Sequence, residues 1–327
     1  GDRTQMVDTA GTTTYGFSQL HRMTTETTPT HSNVYAYDPV GNLTSVTNNL
    51  PSGSQSTTYG YDAADNNTSI SEPGGGLPIQ FTYNPKNLLA TTVLPTTTTV
   101  TETRNYTGGV LRQIHAARGA STLMDYSYCH KYDPGSTCPT VGGVPTDRVS
   151  MMTDAYTGDS TAYTYDAAGH LTKAQVTGAN PRTDEYGYDQ AGNRTSEQVN
   201  GGTTITSTFN TGNQLTLRGS QTATYDLAGN RVSAQNGQQS PHNARGQASS
   251  LWDSAVTLGA SYSGPGMGNR TQLGTVNYYN DTLGVAAEAD GGTTTAYTRT
   301  PGGRVIGQRT PGGNYYLLGD RQNSVTR

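Results

Sequence analysis

The chain is short of the residues that build ordinary protein cores. Of its 327 residues 31% are hydrophobic, against roughly 45–50%, glycine included, in typical globular chains. Adding the 41 glycines brings the share only to the edge of that range. Phenylalanine occurs three times, tryptophan once and lysine three times. Net charge is −4, and no basic stripe or run of arginines is present, which argues against a nucleic-acid partner. No apolar run approaches the ~20 residues of a membrane-spanning helix, so no membrane span is expected. The N-terminus, GDRTQMVDTAGTTTYG, has neither an initiator Met nor a signal peptide. It reads as a cut through the middle of a repeat array, and the chain is expected to be a fragment of a larger protein.

Catalytic signatures are missing too. There is no G-x-S-x-G elbow, no P-loop and no H-E-x-x-H. The six histidines (His21, His31, His115, His130, His170 and His242) are scattered. GPGMGN at Gly264 has the look of a phosphate loop but is a repeat turn with extra glycine. These absences point away from an enzyme and from any cofactor. The only cysteines are Cys129 and Cys138, in YCHKYDPGSTCP. A disulfide closing this loop fits an exported protein, and two free thiols are the alternative. Zinc is not expected, because Cys129, His130 and Cys138 give three ligands, two of them adjacent, and no CxxC pair.

What the sequence does hold is tyrosine, 22 of them, with abundant threonine, glycine and asparagine. Tyrosine and threonine favour strands, and glycine and asparagine favour turns. The tyrosines are also ordered. YAYDPVGNLTSV starts at Tyr35, YGYDAADNNTSI at Tyr59, YTYDAAGHLTKA at Tyr163, YGYDQAGNRTSEQV at Tyr186 and ATYDLAGNRVSA at Ala223. Degenerate copies start at Tyr15, Tyr83, Asn105, Phe209, His242, Tyr262 and Tyr297. The spacing is about 22 to 24 residues in the first half and shortens after Tyr188.

One copy divides into parts. Tyr186 to Asp189 alternates and suits a strand, Gln190 to Asn193 is a turn, and Arg194 to Val199 returns. Asp189 is placed to accept backbone N–H bonds, and Gly192 to take the left-handed conformation that closes a bulged hairpin. By the same pattern the structural residues of the clear copies are Tyr37, Asp38 and Gly41; Tyr61 and Asp62; Tyr165, Asp166 and Gly169; Tyr188, Asp189 and Gly192; and Tyr225, Asp226 and Gly229. The aspartates read as turn caps, not calcium ligands, because calcium needs 6–8 oxygens and one Asp per repeat does not converge. Tyr186 and Tyr188 share a face, so adjacent copies are expected to line their tyrosines into ladders. The fold class is therefore all-β, consecutive antiparallel hairpins forming one large sheet. At about 28 strands and ~4.8 Å per strand, such a sheet must curl or split. The space it encloses is too wide for tyrosines to fill and would hold water or another protein segment.

The phrases YDPVGNLT, YDAAGHLT, YDQAGNRT and YDLAGNRV resemble the YD-repeat, or RHS-repeat, family, and the resemblance covers essentially the whole chain. The ending YYLLGDRQNSVTR, from Tyr315, resembles the family's RHS-core ending, with Asn323 in place of a glycine and Thr326 inserted before Arg327. The resemblance implies a curled or spiralling YD-repeat shell, or part of one. It would be a single continuous array over residues 1–327, with a repeat-breaking insertion near 124–156 and a core-like end at 315–327. It implies a secreted or cell-surface, non-enzymatic scaffold that encloses a C-terminal toxin or effector segment beyond this chain, as in bacterial toxin systems. Its partners would be the rest of its own polypeptide, an N-terminal delivery region and that effector. Neither DPVGN at Asp38 nor DPGST at Asp133 completes the family's self-cleavage motif. The alternative is an extracellular structural, adhesive or carbohydrate-binding repeat protein that contacts other copies or surface glycans.

Overall fold

The computed structural model describes the chain apart from residues 9, 105–108, 131–147, 234–238, 253–256, 264–267, 323, 326 and 327. Among the described residues every regular element is a β-strand, thirty in all. They form two compact units. The first is Gly1–Thr97 with Gln247–Gly319 and Val325–Arg327, and the second is Thr98–Gly246 with Asp320–Ser324.

The first unit holds two sheets. One consists of β1 (Gln5–Asp8), β2 (Gly11–Phe17), β3 (Met23–Thr27), β4 (Ser32–Tyr37), β5 (Leu43–Leu50), β6 (Gly53–Tyr61), β7 (Asn67–Ser71), β8 (Ile79–Tyr83) and β9 (Leu89–Val93). Each strand pairs antiparallel with the next. Burial alternates residue by residue, as in Val34 exposed, Tyr35 buried and Ala36 exposed, which is the period of a strand with one covered face. The covered face carries two kinds of rank. Tyr35, Val46 and Thr57 stand side by side, as do Tyr59, Ile70 and Ile79. A neighbouring rank is polar and runs Tyr15, Glu26, Asn33, Asn48, Gln55.

The second sheet of this unit consists of β23 (Ser250–Trp252), β24 (Thr257–Ser263), β25 (Asn269–Leu273), β26 (Val276–Asp281), β27 (Gly284–Asp290), β28 (Thr293–Arg299), β29 (Val305–Thr310) and β30 (Gly313–Tyr316). It too is paired strand to next strand. This sheet lies against the covered face of the first: Leu50 packs with Ala287 and Ala296, and Ile70 and Ile79 are fully buried. Burying each such aliphatic side chain contributes about 1.5–3 kcal/mol.

The second unit runs through β10 (Thr98–Arg104), β11 (Leu111–Arg118), β12 (Ser121–His130), β13 (Val149–Asp154), β14 (Asp159–Tyr165), β15 (Leu171–Thr177), β16 (Arg182–Tyr188), β17 (Arg194–Val199), β18 (Ile205–Phe209), β19 (Leu215–Arg218) and β20 (Gln221–Thr222). These pair in sequence, and β21 (Thr224–Tyr225) pairs with β22 (Arg231–Ser233). Within the stretch 124–156 of the expected insertion, Met124–His130 lies in β12 and Val149–Asp154 forms β13, strands paired like the rest; residues 131–147 are outside the described part. Cys129 is buried on β12, and Cys138 lies outside the described residues.

Candidate functional site: the YD turn and the tyrosine face

Each YD turn is a small closed network. In the Asp189 copy, Asp189 Oδ1 accepts from Ala191 N at 3.0 Å and Asn193 N at 2.9 Å, and Oδ2 from Asn193 Nδ2 at 2.9 Å. Asp226 repeats this with Ala228 and Asn230, and Asp62 with Ala64 and Asn66. Asp38 accepts from the N–H groups of Gly41 and Asn42. In the Asp166 copy a histidine serves: His170 N donates to Oδ1 and Nδ1 lies 2.9 Å from Oδ2. The side-chain amides of Asn193 and Asn230, then the backbone donors, hold Asp189 and Asp226 below the usual carboxylate range. Gly41, Gly169, Gly192 and Gly229 all have positive φ, which glycine adopts without a Cβ clash. Asp65 (61°), Asn87 (56°) and Asn213 (58°) take that place in other copies. They are residue types that tolerate the left-handed region. Asp320, in the core-like ending, makes the same turn and accepts from Gln322 N and Ser324 N.

The YD tyrosine does more than stand in a ladder. Every clear copy has a register shift at this residue: Tyr37 faces Leu43, Tyr61 faces Asn67, Tyr165 faces Leu171, Tyr188 faces Arg194 and Tyr225 faces Arg231. These are β-bulges. Where the next repeat also carries a tyrosine, its hydroxyl uses a carbonyl that the bulge presents. Tyr61 OH donates to Leu43 O at 2.9 Å, Tyr188 OH to Leu171 O at 2.9 Å and Tyr225 OH to Leu215 O at 2.9 Å. Tyr165 OH donates to Val149 O in the same way, at 2.9 Å. Burial pushes the Tyr61 hydroxyl up to about 12. The hydroxyl thus fastens one repeat to the one before it. Spacing alone did not reveal this, although the choice of Tyr over Phe at a half-buried position was the available signal.

The other tyrosine of the phrase, two residues earlier, faces the covered side. In the first unit it holds backbone of the second sheet. Tyr35 OH accepts from Thr282 N at 3.2 Å, and Tyr59 OH donates to Arg299 O at 3.2 Å. In the second unit Tyr128, on β12 and outside the repeat phrases, plays a similar part: its OH accepts from Arg321 N at 3.1 Å, again backbone of the chain's C-terminal part. The polar rank adds side-chain grips. Asn33 Nδ2 donates to Asn280 O at 2.9 Å, Asn48 Nδ2 to Asp281 Oδ2 at 3.1 Å, and Arg309 Nη2 to Gln55 Oε1 at 2.8 Å. Glu72 receives Thr298 and Tyr316 hydroxyls and pairs with Arg309 at 3.3 Å. Burial pushes the Asp281 carboxyl up and the Arg299 guanidinium down. Among the described residues no group of three or more His, Cys, Asp or Glu side chains is placed to hold a metal.

Comparison with known proteins agrees with this architecture. The RHS-repeat family matches over residues 37–77, and the teneurin YD-shell over 147–258. No curated protein sequence matches the chain. Among solved structures, the Photorhabdus luminescens Tc holotoxin pore with a mutated TccC3 aligns at a TM-score of 0.68 and 14% identity, covering 99% of this chain and 20% of that one. A crystal structure of TcdB2-TccC3 aligns at 0.62 and 14%, covering 97% and 21%. TcdB2-TccC3 without its hypervariable C-terminal region aligns at 0.58 and 12%, covering 98% and 20%. At such identities the likeness is one of fold, and this chain spans about a fifth of the length of those it matches.

Proposed function

We propose that this chain, which belongs to the YD/RHS-repeat family and has the fold of its β-shell scaffolds, is a length of shell wall that encloses a C-terminal effector segment of its own longer polypeptide. Its work is mechanical: the wall keeps the enclosed segment apart from its surroundings until delivery from a secreted or surface assembly. The observation that carries this reading is the grip of the tyrosine face on backbone. Tyr35, Tyr59 and Tyr128 bond the main-chain groups of Thr282, Arg299 and Arg321. Main-chain groups are the same in every sequence, so a wall built this way suits cargo of any sequence. TcdB2-TccC3, a structural neighbour, has a hypervariable C-terminal region, which fits that logic. The two units are read as parts of one array over residues 1–327. The test is limited proteolysis of the full-length gene product. A segment following Arg327 is expected to resist cleavage while the repeats are folded and to become sensitive once they are unfolded. A native C-terminus at Arg327, or a following segment cut as fast in the folded protein as in the unfolded one, would overturn the reading.

An exported wall also suits a Cys129–Cys138 bridge. Thiol labelling of the unreduced chain is expected to find no free cysteine, and two labelled cysteines would remove the bridge. A second reading, a structural or adhesive surface protein, is favoured by the opposite face of the first sheet. There the rank Gly16, Thr25, Val34, Thr47, Ser56 is uncharged and hydroxyl-rich, with Thr47 donating to Ser56 at 3.0 Å. Binding of intact cells or glycans by a protein with no effector segment would support it.

A further inference from the structure

Glu26 stands near one end of the polar rank in the first unit, beside a cavity of about 210 Å³. Thr13, Glu26 and His31 line it from the first sheet, and Asn277, Tyr278 and Tyr279 from the second. Glu26 is half-buried. Its Oε2 accepts from Asn33 Nδ2 at 3.0 Å, and among the described residues no cation pairs with it. The basic groups nearby are engaged elsewhere. His31 Nε2 lies 2.8 Å from the Asn280 carbonyl, which can only accept, so that nitrogen carries its proton there; Nδ1 lies 2.9 Å from Thr28 Oγ1. Arg270 lies over the Tyr278 ring, 4.7 Å from its centroid. Tyr279 meets the His31 ring edge-on at 5.5 Å.

A carboxylate without a counter-ion on a half-buried residue is stabilised most by a charge-assisted donor. Aromatic walls favour a cationic donor over a neutral one, and the carboxylate repels anions. The volume is below the ~300–1,000 Å³ of drug-sized pockets, so the occupant is small. We infer that this cavity is a binding site for a primary ammonium group on a small alkyl or amino-sugar frame, with Glu26 taking the charge and Tyr279 flanking the frame. This stands apart from the shell reading, since neither the repeat turn nor the grip on backbone uses Glu26 as a charge.

The test is NMR titration of the whole chain, reading the His31 and Tyr279 ring signals. The probes are n-butylammonium and glucosamine, with 1-butanol and N-acetylglucosamine as their neutral counterparts. At least one ammonium probe is expected to give saturable shifts, with its neutral counterpart at least about tenfold weaker. Which ammonium probe binds tells an alkyl from a sugar frame. Glu26→Gln keeps an oxygen for Asn33 and is expected to weaken the ammonium probe at least about tenfold. Tyr279→Leu is expected to weaken it severalfold while Glu26 still discriminates charge. Equal responses to a charged probe and its neutral counterpart, unchanged affinity in Glu26→Gln, or no saturable response to either ammonium probe would overturn the assignment.

Discussion

The same repeat is used differently in the two units, and one position accounts for much of the difference. It is the residue directly across the strand pair from the first tyrosine of the phrase. In the first unit Tyr35 faces Val46 and Tyr59 faces Ile70. In the second Tyr163 faces Ala174 and Tyr186 faces Glu197. The turns, bulges and tyrosine hydroxyl bonds are shared. With Val or Ile at this position the face is covered, and Tyr35 is 3% exposed and Ile70 0%. With Ala or Glu the facing tyrosines, Tyr163 and Tyr186, are half-buried. Glu197 instead holds Arg194 at 3.0 Å and Arg218, and Arg194 also lies over the Tyr186 ring. At this position the first unit carries Val46 and Ile70 on a covered face, and the second carries Ala174 and the arginine-paired Glu197.

Exchanging the two kinds of residue is expected to have the largest effect on stability. Ile70→Glu puts an unpaired charge into a fully buried site and is expected to destabilise the first unit by more than ~4 kcal/mol, read from denaturant unfolding. Ile70→Ala, which leaves only a cavity, is expected to cost about 2–4 kcal/mol. The reverse exchange, Glu197→Ile, releases two arginines that are partly solvent-exposed and is expected to change stability by no more than ~1 kcal/mol. A loss as large as that of Ile70→Glu would show that the face around Glu197 is as closely packed as that around Ile70.

Acid and base sharpen the contrast more gently. The turn aspartates Asp62, Asp189 and Asp226 have lowered pKa values, through the side-chain amides of Asn66, Asn193 and Asn230 and then backbone donors. Their stabilising contribution is fully present above the unfolded value, 3.8, and is lost as pH falls through the folded one. Asp281 is raised by burial, so its contribution is present below 3.8 and is lost as pH rises through its folded value. Protection from hydrogen exchange, taken relative to the intrinsic rate at each pH, is expected to fall in the YD turns of both units on acidification. Around Asp281 it is expected to fall instead as pH rises, and Asp281→Asn is expected to flatten that second response. A β26–β27 turn whose exchange follows the same acid profile as the others would contradict this assignment.

The repeat was largely legible in the sequence. Tyr-Asp followed by Gly-Asn carries the strand, the Asx cap and the left-handed turn within six residues, and local chemistry of this kind survives without tertiary knowledge. Copies that lack the glycine keep the same turn with Asp65, Asn87 or Asn213 in its place. What spacing did not disclose was long-range. The hydroxyl bond from Tyr188 to Leu171 depends on a carbonyl freed by a bulge 17 residues away, and the grip of Tyr59 on Arg299 joins residues 240 apart. From the sequence, water or another protein segment is expected against the tyrosine face, whereas in the first unit the chain's own strands β26–β30 lie there. Nothing in their shorter, degenerate repeats distinguished a wall strand from a strand that lies on the wall.

Tyrosine hydroxyls of the covered face hold polypeptide by its main chain, and hydrogen exchange of the Tyr35→Phe, Tyr59→Phe double variant tests this. Each hydroxyl bond contributes about 0.5–1.5 kcal/mol. Removing the two oxygens without changing ring volume is therefore expected to speed exchange at Thr282 and in the amides around Arg299 by several-fold to about tenfold, and to leave β14–β19 unchanged. Unaltered exchange across β26–β30 would contradict the claim and leave that sheet held by Leu50, Ala287 and the polar rank alone.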